Sequence, residues 1–137
     1  MDSRQKGRYG EEQAAVFLRK KGWRILARNY RVRGGEIDLI GFRRGVLVFF
    51  EVKTRSSDAW GSPGDAIDRE KLRCIRKAAE EFLYCSLADG KVSVPYPAGI
   101  RLLRRVRAVR VDGVEVFLSR EGGFRELRVS ESLASLR

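Results

Sequence analysis

Five apolar residues in succession, Val46 to Phe50, predict a strand buried on both faces, since a half-exposed strand would alternate. Just before it, Gly35-Glu36-Ile37-Asp38-Leu39-Ile40 reads as a second strand whose polar positions are acids. Arg44-Gly45 fits a two-residue turn between them, with glycine supplying a positive φ. That turn pairs Arg43 with Val46, Phe42 with Leu47, Ile40 with Phe49 and Asp38 with Glu51. A loop longer by two residues leaves Asp38 diagonal to Glu51, roughly 5–8 Å away, whereas a one-residue slip would carry it to the opposite face. Glu51 and Lys53, two apart in a strand, share a face about 6.6 Å from one another.

The flanking segments carry other periods. Arg8 to Gly22 predicts a helix: Ala14, Ala15, Val16, Phe17 and Leu18 are its apolar positions, Arg19 to Lys21 suit its C-terminus, and Gly22 ends it. Glu11 and Glu12 fall in its first turn, where acids complement the helix dipole. Trp23 to Arg33 predicts a strand with basic residues on its open side. Thr54 to Gly64, with Arg55, Trp60, Gly61, Pro63 and Gly64, predicts a loop. Asp65 to Leu87 predicts the clearest helix, with Ile67, Leu72, Ile75, Ala79, Phe82 and Leu83 near the 3.6 period and Asp68 as an early acid or cap. Lys71 on it is a candidate phosphate contact or a solvated surface lysine.

Ala88-Asp89-Gly90 breaks that helix, and Pro95 and Pro97 make Val92 to Gly99 a loop or an edge strand. Leu102 to Val111 alternates as a strand, Asp112-Gly113 reads as a hairpin turn, and Val114 to Leu118 as the returning strand. Arg120 to Arg137 is polar and predicts a frayed helical end. The order helix, three strands, helix, two strands predicts an α/β fold, a mixed central sheet flanked by helices. Residues 1–124 make one domain and 125–137 a polar tail.

Composition narrows the chemistry. The formal net charge of +11, from 29 Lys+Arg against 18 Asp+Glu in 137 residues, favours a polyanionic partner. The chain has no histidine, which removes histidine-based nucleophilic machinery and ordinary zinc sites with histidine ligands. Cys74 and Cys85 cannot close a zinc site by themselves and read as reduced structural residues. No signal peptide or apolar run of membrane-spanning length is apparent, so a cytoplasmic protein without membrane contact is expected. Carboxylates, lysines and a hard metal remain. Two acids and a lysine converging at the exit of a buried hairpin are costly unless a charge sits between them, and a divalent cation fits that place.

Those residues carry a resemblance. Gly10-Glu11, Ala14, Leu18, Gly22-Trp23, Ile25-Leu26 and Asn29, then Gly35 to Ile40, Phe49-Phe50-Glu51-Val52-Lys53-Thr54-Arg55, Gly61, Pro63 and Lys71 resemble the bacterial YraN family over about residues 7 to 118. The resemblance implies the PD-(D/E)XK restriction-endonuclease-like fold, a kinship with Holliday-junction resolvases, and a metal-dependent endonuclease acting on DNA. It implies Asp38, Glu51 and the Val52 carbonyl as ligands of Mg²⁺ or Mn²⁺, with Glu11 joining the metal site from the first helix. Lys53 would orient or deprotonate the attacking water or offset charge on the phosphate. Glu36, on the strand face of Asp38, would support the site from behind, and Arg33, Arg55 and Lys71 would hold the backbone. Resolvase-like relatives act as dimers on four-way junctions, which points to branched DNA and a homodimer. The chain departs from the family's usual Arg-Phe-Asp ahead of the last turn, where Arg105, Val106 and Arg107 put a cation in the acid's place. Three rival readings stay open: a non-catalytic nucleic-acid-binding module on the same fold, RNA as the substrate, and a buried ion-pair network that merely plugs the sheet end.

Overall fold

The computed structural model describes residues 1–56 and 68–136. Helix α1 (Ser3–Lys20) begins with a reciprocal cap. The Gln5 backbone N–H donates to the Asp2 carboxylate at 2.8 Å, and the Asp2 N–H donates to the Gln5 side chain at 2.9 Å. That cap starts the helix at Ser3 rather than at Arg8. The chain continues as β1 (Arg24–Val32), β2 (Gly35–Arg43), β3 (Val46–Arg55), α2 (Arg69–Ser86), β4 (Lys91–Pro95), β5 (Arg101–Arg105), β6 (Ala108–Leu118) and β7 (Phe124–Ser135). The main sheet has the order β1-β2-β3-β6-β7, and β4 and β5 form a separate hairpin. Among the described residues only β3 and β6 pair in parallel, so the sheet is mixed, and the expected α/β class stands.

Strand β3 is buried on both faces, as its apolar run requires. Phe49 packs among the α2-side residues, with its ring 5.9 Å from that of Phe82, and Phe50 packs on the α1 side, 5.2 Å from Trp23 at an 89° angle. Each such side chain contributes roughly 1.5–3 kcal/mol by leaving water. The β2–β3 register is the expected one, from Arg43 opposite Val46 to Ile40 opposite Phe49. Both turn residues take positive φ, 51° at Arg44 and 82° at Gly45, as a primed hairpin turn demands. The ladder stops at Leu39 opposite Phe50, although β3 stays paired with β6 from Val46 through Arg55. Past Phe50, β2 and β3 part.

Other expectations change. Asp112-Gly113 is not a turn but the middle of β6. Asp112 is 1% exposed, and its carboxylate accepts from Arg110 at 2.9 and 3.2 Å and from the Ser132 N–H at 2.9 Å. The acid therefore satisfies neighbours within the sheet instead of a turn backbone, and Gly113 leaves room for Leu133 over it. The strand expected over Leu102 to Val111 is two strands, interrupted between Arg105 and Ala108. The expected helical tail is β7, an edge strand on β6. Helix α2 starts at Arg69, with Asp68 as its cap accepting from the Lys71 N–H at 2.7 Å. Thr54 and Arg55 belong to β3, while Trp60, Gly61, Pro63, Gly64, Asp65 and Ile67 lie outside the described residues. Among the described residues no helix is long and apolar enough to cross a membrane.

One contact brings α1 onto the end of β3. Gly10 is buried against Thr54, and a Cβ placed on Gly10 would lie 1.8 Å from the Thr54 hydroxyl oxygen. Glycine here permits a close approach that sets the position of Glu11, its neighbour. Gly10→Ala improves helix propensity by about 1 kcal/mol, yet the overlap should leave a net loss of roughly 1–3 kcal/mol. In urea unfolding, Gly10→Ala combined with Thr54→Ala should cost less than the sum of the two single changes. A Gly10→Ala protein more stable than the original would refute the close approach.

Candidate acidic site where β2 and β3 part

The site follows from the ladder's end. Beyond Phe50, the Val52 N–H has no β2 backbone opposite it in the ladder, and it donates instead to the Asp38 carboxylate at 2.8 Å. Asp38 is 9% exposed and thus sits in the split between the strands. Glu51, next along β3, has its side chain 11% exposed, and its Oε1 accepts from Lys71 Nζ at 3.2 Å. Its other oxygen, Oε2, is buried with no hydrogen-bond partner. A buried acceptor left unpaired costs about 1–3 kcal/mol, and more when charged.

The electrostatics register that cost. Burial first, then the neighbouring Asp38 charge, pushes the Glu51 carboxyl up to about 7, with Lys71 pulling the other way. Burial also raises Asp38, against the stabilising bond from the Val52 amide. Glu11 is raised by burial and by Asp38, while Asn29 beside it acts in the opposite sense. Burial pushes the Lys71 ammonium down, but Glu51 outweighs it and the lysine ends above its ordinary value. One acid cluster thus contains Asp38, Glu51 and Glu11, with Glu36 close enough to raise both Asp38 and Glu11.

The remaining expected residues fall around it unevenly. Lys53 is exposed, two residues past Glu51, and the lysine bonded to Glu51 is Lys71 from the first turn of α2. Arg55 pairs with Glu115 at 2.8 Å, both side chains largely covered. Arg33 is exposed in the β1–β2 turn, and Glu36 pairs with Arg31 at 3.4 Å. Arg107 donates its N–H to the Gly45 carbonyl at 2.7 Å, at the turn end of β3. That is six residues from Glu51, roughly 20 Å along the strand, so the cation in that place does not face the acids. Asn29 was not singled out for a role by its sequence. It holds φ at 49° inside β1, an uncommon conformation that asparagine tolerates, directly across from Asp38 in the β1–β2 register. An asparagine interrupting a strand pattern was the signal available.

Of the three acids Glu11 lines an open cavity of about 390 Å³, together with Val52, Lys53, Thr54 and Arg55. Among the described residues, no three His, Cys, Asp or Glu side chains form a ready-made metal cage. Mg²⁺ does not require one, because it binds through one or two carboxylates while keeping waters and taking phosphate oxygens. The Asp38–Glu51 pair, with an unpartnered buried oxygen, fits a hard divalent cation of that kind.

Comparison with known proteins agrees with the resemblance drawn from the motifs. The model of uncharacterised protein family UPF0102, the YraN family, matches residues 10–116. A UPF0102 protein of Symbiobacterium thermophilum is 51% identical over 81 residues, covering 59% of this chain and 69% of the relative. One from Alkaliphilus oremlandii is 47% identical over 77 residues, covering 56% and 66%, and one from Carboxydothermus hydrogenoformans is 40% identical over 84 residues, covering 61% and 71%.

The raised Glu51 carboxyl has a consequence for stability. Its folded value of about 7 lies above the ordinary 4.5, so the native state holds the proton more tightly than the unfolded chain. Glu51 therefore costs nothing below pH 4.5, destabilises increasingly as pH rises from 4.5 to about 7, and levels off above that. Glu51→Gln should match the original protein near pH 5 and exceed it at pH 8 by roughly 1–3 kcal/mol, read in metal-free buffer with EDTA by thermal unfolding. Equal stability of the two proteins at pH 8 would contradict the buried, unpartnered oxygen.

Proposed function

The chain belongs to uncharacterised protein family UPF0102, and from that starting point we propose that it is a metal-dependent endonuclease hydrolysing DNA phosphodiester bonds. The observation that carries the reading is the buried Glu51 carboxylate with one oxygen unpartnered, beside the second buried carboxylate of Asp38. Structural ion-pair networks satisfy most of their buried oxygens, so an unpartnered one beside a second acid supports a cation-binding role.

Asp38 and Glu51, with the Val52 carbonyl and Glu11 alongside, are the residues that would hold Mg²⁺ or Mn²⁺. Such an ion supplies an activated water and positive charge against the crowded phosphate. Lys71 steadies Glu51 and adds a cation to the acid cluster. Lys53, exposed just beyond, is free to reach a phosphate at the cleft and offset the charge that grows there. Glu36 tunes Asp38 and Glu11 from behind. Arg33 lies at the β1–β2 turn, where a duplex backbone could rest, whereas Arg55 is held by Glu115 and positions the strand end.

The decisive assay is cleavage of linear, flapped and four-way DNA, with matched RNA in parallel, in Mg²⁺ or Mn²⁺. Cleavage of DNA is expected, with Glu51→Ala and Asp38→Asn each reducing the rate at least roughly a hundredfold while DNA binding persists. Mn²⁺ should raise the melting temperature of the original protein at pH 8 and leave that of Glu51→Ala unmoved. Absence of cleavage by the unmutated protein on every substrate, with binding retained, would leave a nucleic-acid-binding module on this fold.

A further inference from the structure

The positive charge is not spread evenly. Around the acidic site three cations are engaged by carboxylates, Lys71 by Glu51, Arg31 by Glu36 and Arg55 by Glu115, while Lys53 is exposed beside it. At the other end of β2 and β3, three elements finish together: the C-terminus of α1, the Arg44-Gly45 turn and the β4–β5 hairpin. Between them runs an open groove whose two adjoining parts, about 340 and 180 Å³, share Gly22, Arg24 and Tyr96. Its walls carry Arg19, Lys21, Arg24, Arg43 and Arg44, and Arg104 stands beside Tyr96. Among the described residues none of these six makes an ion pair, and no acid lines the groove.

Arg19 and Lys21 have an adequate local reason, since cations suit a helix C-terminus. The four arginines do not. Three of them, Arg24, Arg43 and Arg104, are held by aromatic rings, a hydroxyl or backbone rather than by carboxylates. The Arg24 guanidinium lies 4.7 Å from the Tyr96 ring centre, and Arg104 lies 5.4 Å from it while donating to the Tyr96 hydroxyl at 3.1 Å. Arg43 lies 4.5 Å from the Trp23 ring and donates to the Lys21 carbonyl at 2.8 Å. Arg44 is exposed at the tip of the turn. Stacking fixes the plane of a guanidinium while leaving N–H donors and the full charge available, which is the arrangement that suits a phosphate diester.

We infer that this groove is a second binding surface, a grip for the phosphate backbone of double-stranded DNA remote from the acidic site. Arg43 and Asp38 are five residues apart on β2, roughly 17 Å, which corresponds to about five base pairs of duplex at 3.4 Å each. One duplex could therefore touch both places. The inference rests on the proposed substrate class but not on hydrolysis, because the grip operates whether or not the acids cut.

The test is binding of a fluorescein-labelled 20-base-pair DNA duplex in EDTA, followed by anisotropy from low to moderate KCl, so that cleavage plays no part. Arg44→Gln, whose side chain is exposed, should weaken binding about three- to tenfold. The combined Arg24→Gln, Arg43→Gln, Arg44→Gln and Arg104→Gln protein should flatten the slope of log affinity against log salt by about 3–4, near 0.9 for each phosphate no longer neutralised. Folding of each variant is checked by its melting temperature, and Arg44→Gln keeps the test decisive if the combined variant unfolds. Unchanged affinity in Arg44→Gln, or an unchanged slope in the folded combined variant, would overturn the inference. So would groove-dependent binding to anionic phosphatidylserine vesicles without binding to the duplex. Absence of nuclease activity with groove-dependent duplex binding would sink only the catalytic reading.

Discussion

The parting of β2 from β3 beyond Phe50 is the constraint on which the acidic site depends. An amide in the middle of a sheet must find an acceptor, and the Val52 N–H, with the ladder ended, finds the Asp38 carboxylate. A strand-to-strand bond is thereby exchanged for a charged one, and the exchange holds Asp38 in the split. Because Val46 to Phe50 bury β3 on both faces up to that point, the next residue cannot escape to water quickly. Glu51 is drawn into the same low-dielectric place, which is why its proton is held to near neutrality.

Each other contributor reaches the split through a feature of its own backbone. Gly10 lets α1 settle on Thr54 and so sets Glu11. Asn29 takes a left-handed conformation across from Asp38, where a β-branched residue would be strained. Asp68 caps α2 so that Lys71 falls in the first helical turn, within reach of Glu51. These features are cheap individually. Together they gather one cation and three carboxylates from four elements into one place.

How much of this could be read beforehand follows from how local the determinants are. The β2–β3 register was legible because a glycine-containing two-residue turn and an unbroken apolar run pointed to the same pairing, and the Asp38–Glu51 neighbourhood came with it. The Asp112-Gly113 reading failed because a turn signal was outvoted by pairing on both sides: β3 in parallel along one edge and β7 along the other. Strand β7 escaped notice because an edge strand shows little clean alternation, its apolar residues Leu127, Val129 and Leu133 being only partly covered. The Lys71–Glu51 pair could not be read at all. It depends on where α2 lands relative to β3, which no local pattern encodes.

On the proposed function, a basic chain with an acidic site meets a problem of like charge, since a phosphate backbone approaching three carboxylates is repelled. Pairing every acid with an arginine would remove the repulsion and also remove any place for a metal. Here a single lysine takes one oxygen of Glu51 and leaves the other without a hydrogen-bond partner, so the cluster keeps a deficit of positive charge that a proton or, on the proposed reading, a divalent cation offsets. The surplus of arginine lies instead where no carboxylate lines the surface, held flat by Tyr96 and Trp23. Composition alone reports the sum of these two populations. On the proposed function, the separation between them would let attraction of a polyanion and the repulsion of an acid cluster coexist in a domain of this size.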